Sequence, residues 1–91
     1  TKQTAEIGYF VQQDFWGQGL ATESLKTISF LALAEFGLRS LSIITHRENL
    51  ASQKVALKAG FKLARAFKGS DRYSRKMRDY LEFQLKAGEV L

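Results

Sequence analysis

A glycine-rich turn, Trp16-Gly17-Gln18-Gly19-Leu20-Ala21-Thr22, separates a β-type apolar run from a long helical pattern. That order constrains the fold more than any other stretch. Upstream, Ala5 to Val11 alternates, with Ile7, Tyr9 and Val11 on one face and Glu6, Gly8 and Phe10 on the other. Gly8 is weak in a strand and marks a bulge or a close approach by another group. Downstream, from Leu20 or Ala21 to Phe36, the residues Leu25, Ile28, Ala32 and Phe36 recur at helical spacing. Phe30, Leu31, Leu33 and Ala34 widen the apolar surface, so this helix is expected to be covered on most sides. A strand that leads through a glycine turn into a helix presents free backbone N–H groups at a positive helix end, an arrangement suited to phosphate oxygens. Read alone, an ordinary loop before a helix accounts for the same residues equally well. Thr22 and Glu23 fit the first helical turn on structural grounds, satisfying free N–H groups and the helix dipole.

The rest of the chain completes a small α/β domain. Gly37 is a left-handed helix stop. Leu38-Arg39-Ser40 then leads to a short second strand, Leu41 to Thr45. Strand, crossover helix and strand make a right-handed unit with parallel strands. Ligands of such sheets bind beyond the carboxyl ends of the strands. That end carries the glycine turn and the segment His46 to Ser52. A second helix is expected over Asn49 to Ala59, with Asn49 or Ser52 near its cap and Gly60 as its stop. Phe61 to Phe67 alternates, placing Phe61, Leu63 and Phe67 on one face. Lys68 to Asp71 reads as a turn, and Arg72 to Met77 as loop. Asp79 to Leu85 alternates again, with Leu81, Phe83 and Leu85 against Tyr80, Glu82 and Gln84. The expectation is one domain over residues 1–91, a mixed α/β sheet in the order β-α-β-α-β-β, its first two strands parallel and its last two an antiparallel hairpin.

Composition removes whole classes of chemistry. The chain has no Cys, which excludes disulfides, thiolate metal sites and a cysteine acyl-enzyme within it. A lone His46 cannot hold a metal by itself, so no metal is expected. No run approaches the ~18 apolar residues of a membrane span. No signal peptide is visible, which points to the cytoplasm. The net charge of +5 suits an anionic partner or a polyphosphate ligand. The positive residues are scattered, though Lys62 to Arg78 is locally rich, and a solvated basic surface is the simpler reading. Neither a nucleic acid nor a membrane is expected as a partner.

A second cluster gives the glycine turn a meaning. Asn49-Leu50-Ala51-Ser52 is followed by Val55-Ala56-Leu57-Lys58-Ala59-Gly60-Phe61. Together with the turn upstream, these pieces resemble the GNAT superfamily of N-acetyltransferases. More narrowly they resemble its RimJ/RimL branch, whose members read Gly-Gln-Gly-x-Ala-Thr-Glu, then Asn-x-x-Ser, then Lys-x-Gly-Phe. The match in order, spacing and context extends over residues 5 to 85. The resemblance implies acetyl-coenzyme A as co-substrate, its pyrophosphate on the backbone amides of Gly17, Gln18, Gly19, Leu20, Ala21 and Thr22. It implies a pantetheine arm paired with the strand at Tyr9, Phe10 and Val11, in a gap where that strand splays from the next. Asn49 would bond the arm or orient the gap. Two positions depart from the family: Trp16 stands where Gln or Arg often begins the turn, and Ala56 where many members carry a Tyr proposed to protonate the thiolate. Ser52 is the replacement candidate, with a helix-cap serine as the competing reading.

Acyl transfer to an amine requires a neutral amine, donors for the tetrahedral oxyanion, and a proton or other stabilisation for the thiolate. Without Cys, direct attack of the amine on the thioester is the simpler route. A backbone N–H near Val11 would serve the oxyanion, as the family uses its splayed strand. Glu6 is the candidate relay for the amine's proton, against a plain solvent-facing carboxylate. His46, at the carboxyl end of the second strand, is a lesser candidate for acid–base chemistry or substrate contact; Tyr73 is another, for lining the acceptor site. The resemblance further implies that the acceptor-binding strands and helices of the fold precede this part, leaving the first strand with an open edge able to pair with a second copy. The leading expectation is an N-acetyltransferase acting on a protein N-terminus or a small amine. A non-catalytic acetyl-coenzyme A-binding module is the alternative. A dinucleotide-binding unit, with Glu48 on a ribose, is opposed by Thr22 in place of a third glycine and by the final hairpin.

Overall fold

Alternation and helical spacing resolve into four strands and two helices. The computed structural model describes residues 4–7, 18–71 and 74–89. Its elements are β1 (Thr4–Glu6), α1 (Gln18–Ala34), β2 (Ser40–His46), α2 (Leu50–Lys58), β3 (Lys62–Ser70) and β4 (Met77–Lys86), followed by a single 3-10 turn, Ala87–Glu89. The strands form one sheet in the order β1-β2-β4-β3. β1 lies parallel to β2, with Thr4, Ala5 and Glu6 beside Ser40, Leu41 and Ser42. β4 runs antiparallel to both β2 and β3. The expected element order, parallel pair and C-terminal hairpin are all present. The part of the first strand expected at Gly8 to Val11 lies outside the described residues.

The period of two gives the sheet unlike faces. Leu41 and Ile43 of β2 and Phe83 and Leu85 of β4 point to one side and are buried there. Leu25 and Leu33 of α1, Val55 and Ala56 of α2, and Phe61 complete the same cluster, so both helices cover this face. Each large apolar side chain fully buried in such a cluster contributes about 1.5–3 kcal/mol. The alternate residues Ser42, Ile44, His46, Tyr80, Glu82 and Gln84 point the other way, where no described helix lies.

α1 turns a different stripe inward from the one its spacing suggested. Thr22, Leu25, Ser29 and Leu33 are buried, whereas Ile28 is 39% exposed, Phe30 51% and Leu31 45%. A helix approaches its neighbours most closely where its side chains are small, and Thr22, Ser29 and the half-buried Ala32 supply that seam. Ile28, Phe30 and Leu31 are left outside, so the described residues do not cover the helix on most sides. It also ends earlier than expected: Phe36 lies beyond it and is 78% exposed.

The hairpin departs from its expected pattern at two places. Lys68, Gly69 and Ser70 belong to β3 rather than to a turn. A Cβ at 69 would stand 3.3 Å from the Tyr80 ring, a tight contact that the ring would have to relieve by shifting a few tenths of an ångström. The register also shifts between Leu63 and Arg65, so Ala64 is an extra residue on β3. Leu63 therefore sits opposite Phe83 and Phe67 opposite Tyr80, on different faces of the sheet. Phe67 does not share a face with Phe61 and Leu63. The connecting turn closes with an Asp71 N–H to Lys76 C=O bond of 2.8 Å.

Candidate active site

The carboxyl end of β2 gathers the polar groups. The His46 carbonyl accepts the Asn49 N–H at 3.0 Å, which folds the chain straight into α2. Asn49 caps that helix: its side-chain oxygen accepts the Ser52 N–H at 3.1 Å. The Arg47 N–H donates to the Asp79 carbonyl at 2.9 Å, fastening this turn to the start of β4. Gly60, at φ +99°, stops α2 as expected.

The N-terminus of α1 fits an anionic group. The helix starts at Gln18 and has no acidic residue in its first turn. Among the described residues, a Cβ on Gly19 would meet nothing within 4 Å. Gln18, Gly19, Leu20 and Ala21 form that turn, and Thr22 is buried at the head of the α1 seam. Tyr9, Phe10, Val11, Gly17 and Tyr73, also named from the sequence, lie outside the described residues.

The two catalytic candidates lie on opposite faces. Ser52 is 2% exposed and, like Val55 and Ala56, is a buried residue of α2, the helix on the covered side. Glu6 is exposed and stands level with Ser42 on the uncovered side. At the rise of a parallel strand, Glu6 is about 13 Å short of His46, which ends β2.

On the uncovered face His46, a lesser candidate from the sequence, heads a row of groups whose other members sequence reasoning did not connect with it. His46 stacks on Tyr80 with ring centroids 5.0 Å apart, and Tyr80 stacks on Phe67 at 5.5 Å. The Arg65 guanidinium lies 4.4 Å from the centre of the Phe67 ring and pairs with buried Glu82. The His46 Nε2 is 3.8 Å from Asp71 Oδ2. Asp71 had been read only as part of a turn. Its Oδ1 accepts the Ser74 N–H at 3.0 Å, so the carboxylate also organises the hairpin turn. Nothing in the spacing of His46 and Asp71 signals this pairing; the hairpin creates it. Two buried hydroxyls, Ser29 Oγ and Thr45 Oγ1, and the buried His46 Nδ1 have no hydrogen-bond partner among the described residues.

Residues 1–62 match the family described as acetyltransferase (GNAT) domain. The chain belongs to the GNAT acetyltransferase family. It is 37% identical over 59 residues to the probable N-acetyltransferase YjcK of Bacillus subtilis (strain 168), a match covering 65% of this chain and 33% of that protein. Its fold superposes on the crystal structure of a probable acetyltransferase with a TM-score of 0.81 at 24% identity, covering 97% of this chain and 50% of the other. It also resembles RimL, a ribosomal L7/L12 α-N-protein acetyltransferase solved in complex with coenzyme A, with a TM-score of 0.77 at 25% identity, over 92% of this chain and 48% of that one. The chain thus spans about a third of the curated relative and about half of the solved structures. No helix among the described residues is long and apolar enough to cross a membrane.

Proposed function

We propose that this GNAT domain takes part in transfer of an acetyl group from acetyl-coenzyme A to a primary amine, on a protein N-terminus or a small molecule, as in the RimJ/RimL branch. The supporting observation is the acid-free first turn of α1, where no described residue crowds Gly19, in a chain of this family. Main-chain amides there would take the pyrophosphate, and Gly17 to Thr22 are its proposed cradle. Tyr9, Phe10 and Val11 would pair with the pantetheine arm, and Asn49 would orient it from the cap of α2. The chain would be the acetyl-coenzyme A-binding part of the fold, with the strands and helices expected before it supplying much of the acceptor pocket. An edge of β1 is a candidate surface for a second copy.

In the proposed reaction the amine nitrogen attacks the thioester carbonyl directly. Its C–N bond forms, the C–S bond breaks, and the departing thiolate receives a proton through Ser52. Glu6, exposed on the uncovered face, passes the amine's surplus proton to solvent. A second reading is a non-catalytic module that binds acetyl-coenzyme A, favoured by the fully buried Ala56 at a position where many members of the family carry a Tyr.

Titration calorimetry on a folded sample with acetyl-coenzyme A and with NAD tests the ligand. Binding of the first alone is expected; binding of neither overturns the reading. A thiol-release assay of the whole protein over a panel of peptides and amines separates enzyme from module, with turnover expected on at least one.

A further inference from the structure

We propose that Arg65 selects the acceptor: the free edge of its guanidinium binds a carboxylate that an acceptor peptide carries a few residues from the reacting amine. This rests on the acetyl-transfer reading above. The side chain is 60% exposed, yet it is held at two places. Its Nε donates to Glu82 Oε1, and its guanidinium lies 4.4 Å from the centre of the Phe67 ring. Neither contact uses Nη1 or Nη2, which have no hydrogen-bond partner among the described residues. A planar fork with its plane fixed and these donors free takes a carboxylate through two parallel hydrogen bonds.

The supports of Arg65 act on its orientation. Glu82 is buried, and its Oε2 accepts the Gln84 amide at 3.4 Å, so both carboxylate oxygens are engaged without the Nη groups. Burying a carboxylate is costly, and a pair with an exposed guanidinium adds little stability. What the pair does is fix the direction of a long side chain. Phe67 is backed by Tyr80 at 5.5 Å, and Tyr80 by His46 at 5.0 Å, so the guanidinium leans on a stack of rings. The freedom that an arginine ordinarily loses on binding is already removed.

The irregularity in β3 aims the residue. In an unbroken strand residue 65 would share the face of Leu63, the side that the helices cover. The extra residue Ala64 instead sets Arg65 opposite Glu82, on the side where no described helix lies. The other described charges on this face are engaged or distant. Lys62 pairs with Glu89 and Arg78 with Glu48, while Glu6 stands on β1 at the opposite edge of the sheet.

The register sets the length of the acceptor. In the proposed reaction the amine reacts at the carboxyl end of β2, which His46 closes. His46 lies opposite Tyr80, and Arg65 lies opposite Glu82 on the far side of β4. Two strand spacings and two residues separate them, about 12 Å. An extended peptide covers that distance in between three and four residues, at about 3.3–3.6 Å each. The carboxylate therefore belongs to an acidic residue near the fourth position of the acceptor.

The test uses the whole protein and neutral peptides with free N-terminal amines, each carrying a single Glu at one of positions 2 to 8, with the matching Gln peptide as reference. The wild type should favour Glu over Gln about tenfold in kcat/KM, through KM, at the third to fifth positions, the size expected of one charged hydrogen-bonded contact. Arg65→Gln should bring that ratio to about one at every position. Arg65→Lys keeps the charge without the fork, and Glu82→Gln removes the carboxylate that orients it; each should leave a preference of only about two- to threefold. Acetyl-coenzyme A binding like that of the wild type certifies that a variant is folded. An Arg65→Gln protein that does not fold marks the residue as structural and overturns the proposal. So does a wild type without a preference for Glu, or a preference that survives in Arg65→Gln. Turnover of small amines but of no peptide also overturns it and leaves the underlying reading standing. A wild type that does not bind acetyl-coenzyme A overturns the underlying reading instead.

Discussion

The sheet's two faces share every backbone hydrogen bond yet obey different rules. The covered face is aliphatic and aromatic: Leu41, Ile43, Phe83 and Leu85 meet two helices and exclude water. The uncovered face carries an imidazole, a phenol, a buried carboxylate and its guanidinium partner. Desolvation favours the first set without further conditions. The buried carboxylate in the second set is tolerable because it has partners, Glu82 having Arg65 and Gln84. Among the described residues the fold therefore draws its apolar core from one side of the sheet and carries its paired polar groups on the other.

Equal truncations on the two faces should break the symmetry most visibly. Phe61→Ala, in the core, should cost about 3–5 kcal/mol of unfolding free energy. Phe67→Ala, half-buried on the uncovered face, should cost well under half of that; urea denaturation of both decides, and equal losses would refute the division of labour. A smaller effect is expected from the Arg65–Glu82 pair. Arg65 is 60% exposed, so a double-mutant cycle with Arg65→Ala and Glu82→Ala should give a coupling below about 1 kcal/mol. A coupling of core size would mean that the uncovered face also holds the fold together.

The smallest effect lies at the rim of the same face. Lys62 Nζ, 2.6 Å away, and the Lys86 N–H hold the Glu89 carboxyl below its ordinary value of 4.5. A carboxyl lowered in the folded state stabilises above its unfolded value and loses that contribution as pH falls through the folded one. Stability should therefore decline slightly below pH 4.5, and Glu89→Gln should remove that part of the slope in denaturation midpoints measured from pH 6 to 3.

The covered face was largely legible in the sequence. Alternation in Asp79 to Leu85 named Leu81, Phe83 and Leu85 correctly, and Asn49 and Gly60 marked the ends of α2 because caps and stops are local chemistry. The α1 seam was not legible, since it follows small residues such as Ser29 where a count of apolar positions follows Ile28 and Phe30. The His46–Asp71 contact was not legible either. It joins residues brought together by strand pairing, and no local pattern reports a pairing register. The family resemblance pointed to the glycine turn and to Ser52, but carried nothing about the row on the uncovered face.

Ala64 gives the chain a place where its length is negotiable. Leu63 pairs with Phe83, and Arg65 pairs with Glu82, the very next residue on β4. Removing Ala64 would leave both addresses intact, whereas deleting any other interior residue of β3 would send every side chain on one side of the cut to the wrong face. In a scan of single-residue deletions along this strand, position 64 should stand out as the tolerant one. Gains and losses of a residue during divergence have an entry point there that spares both the core and the chemistry.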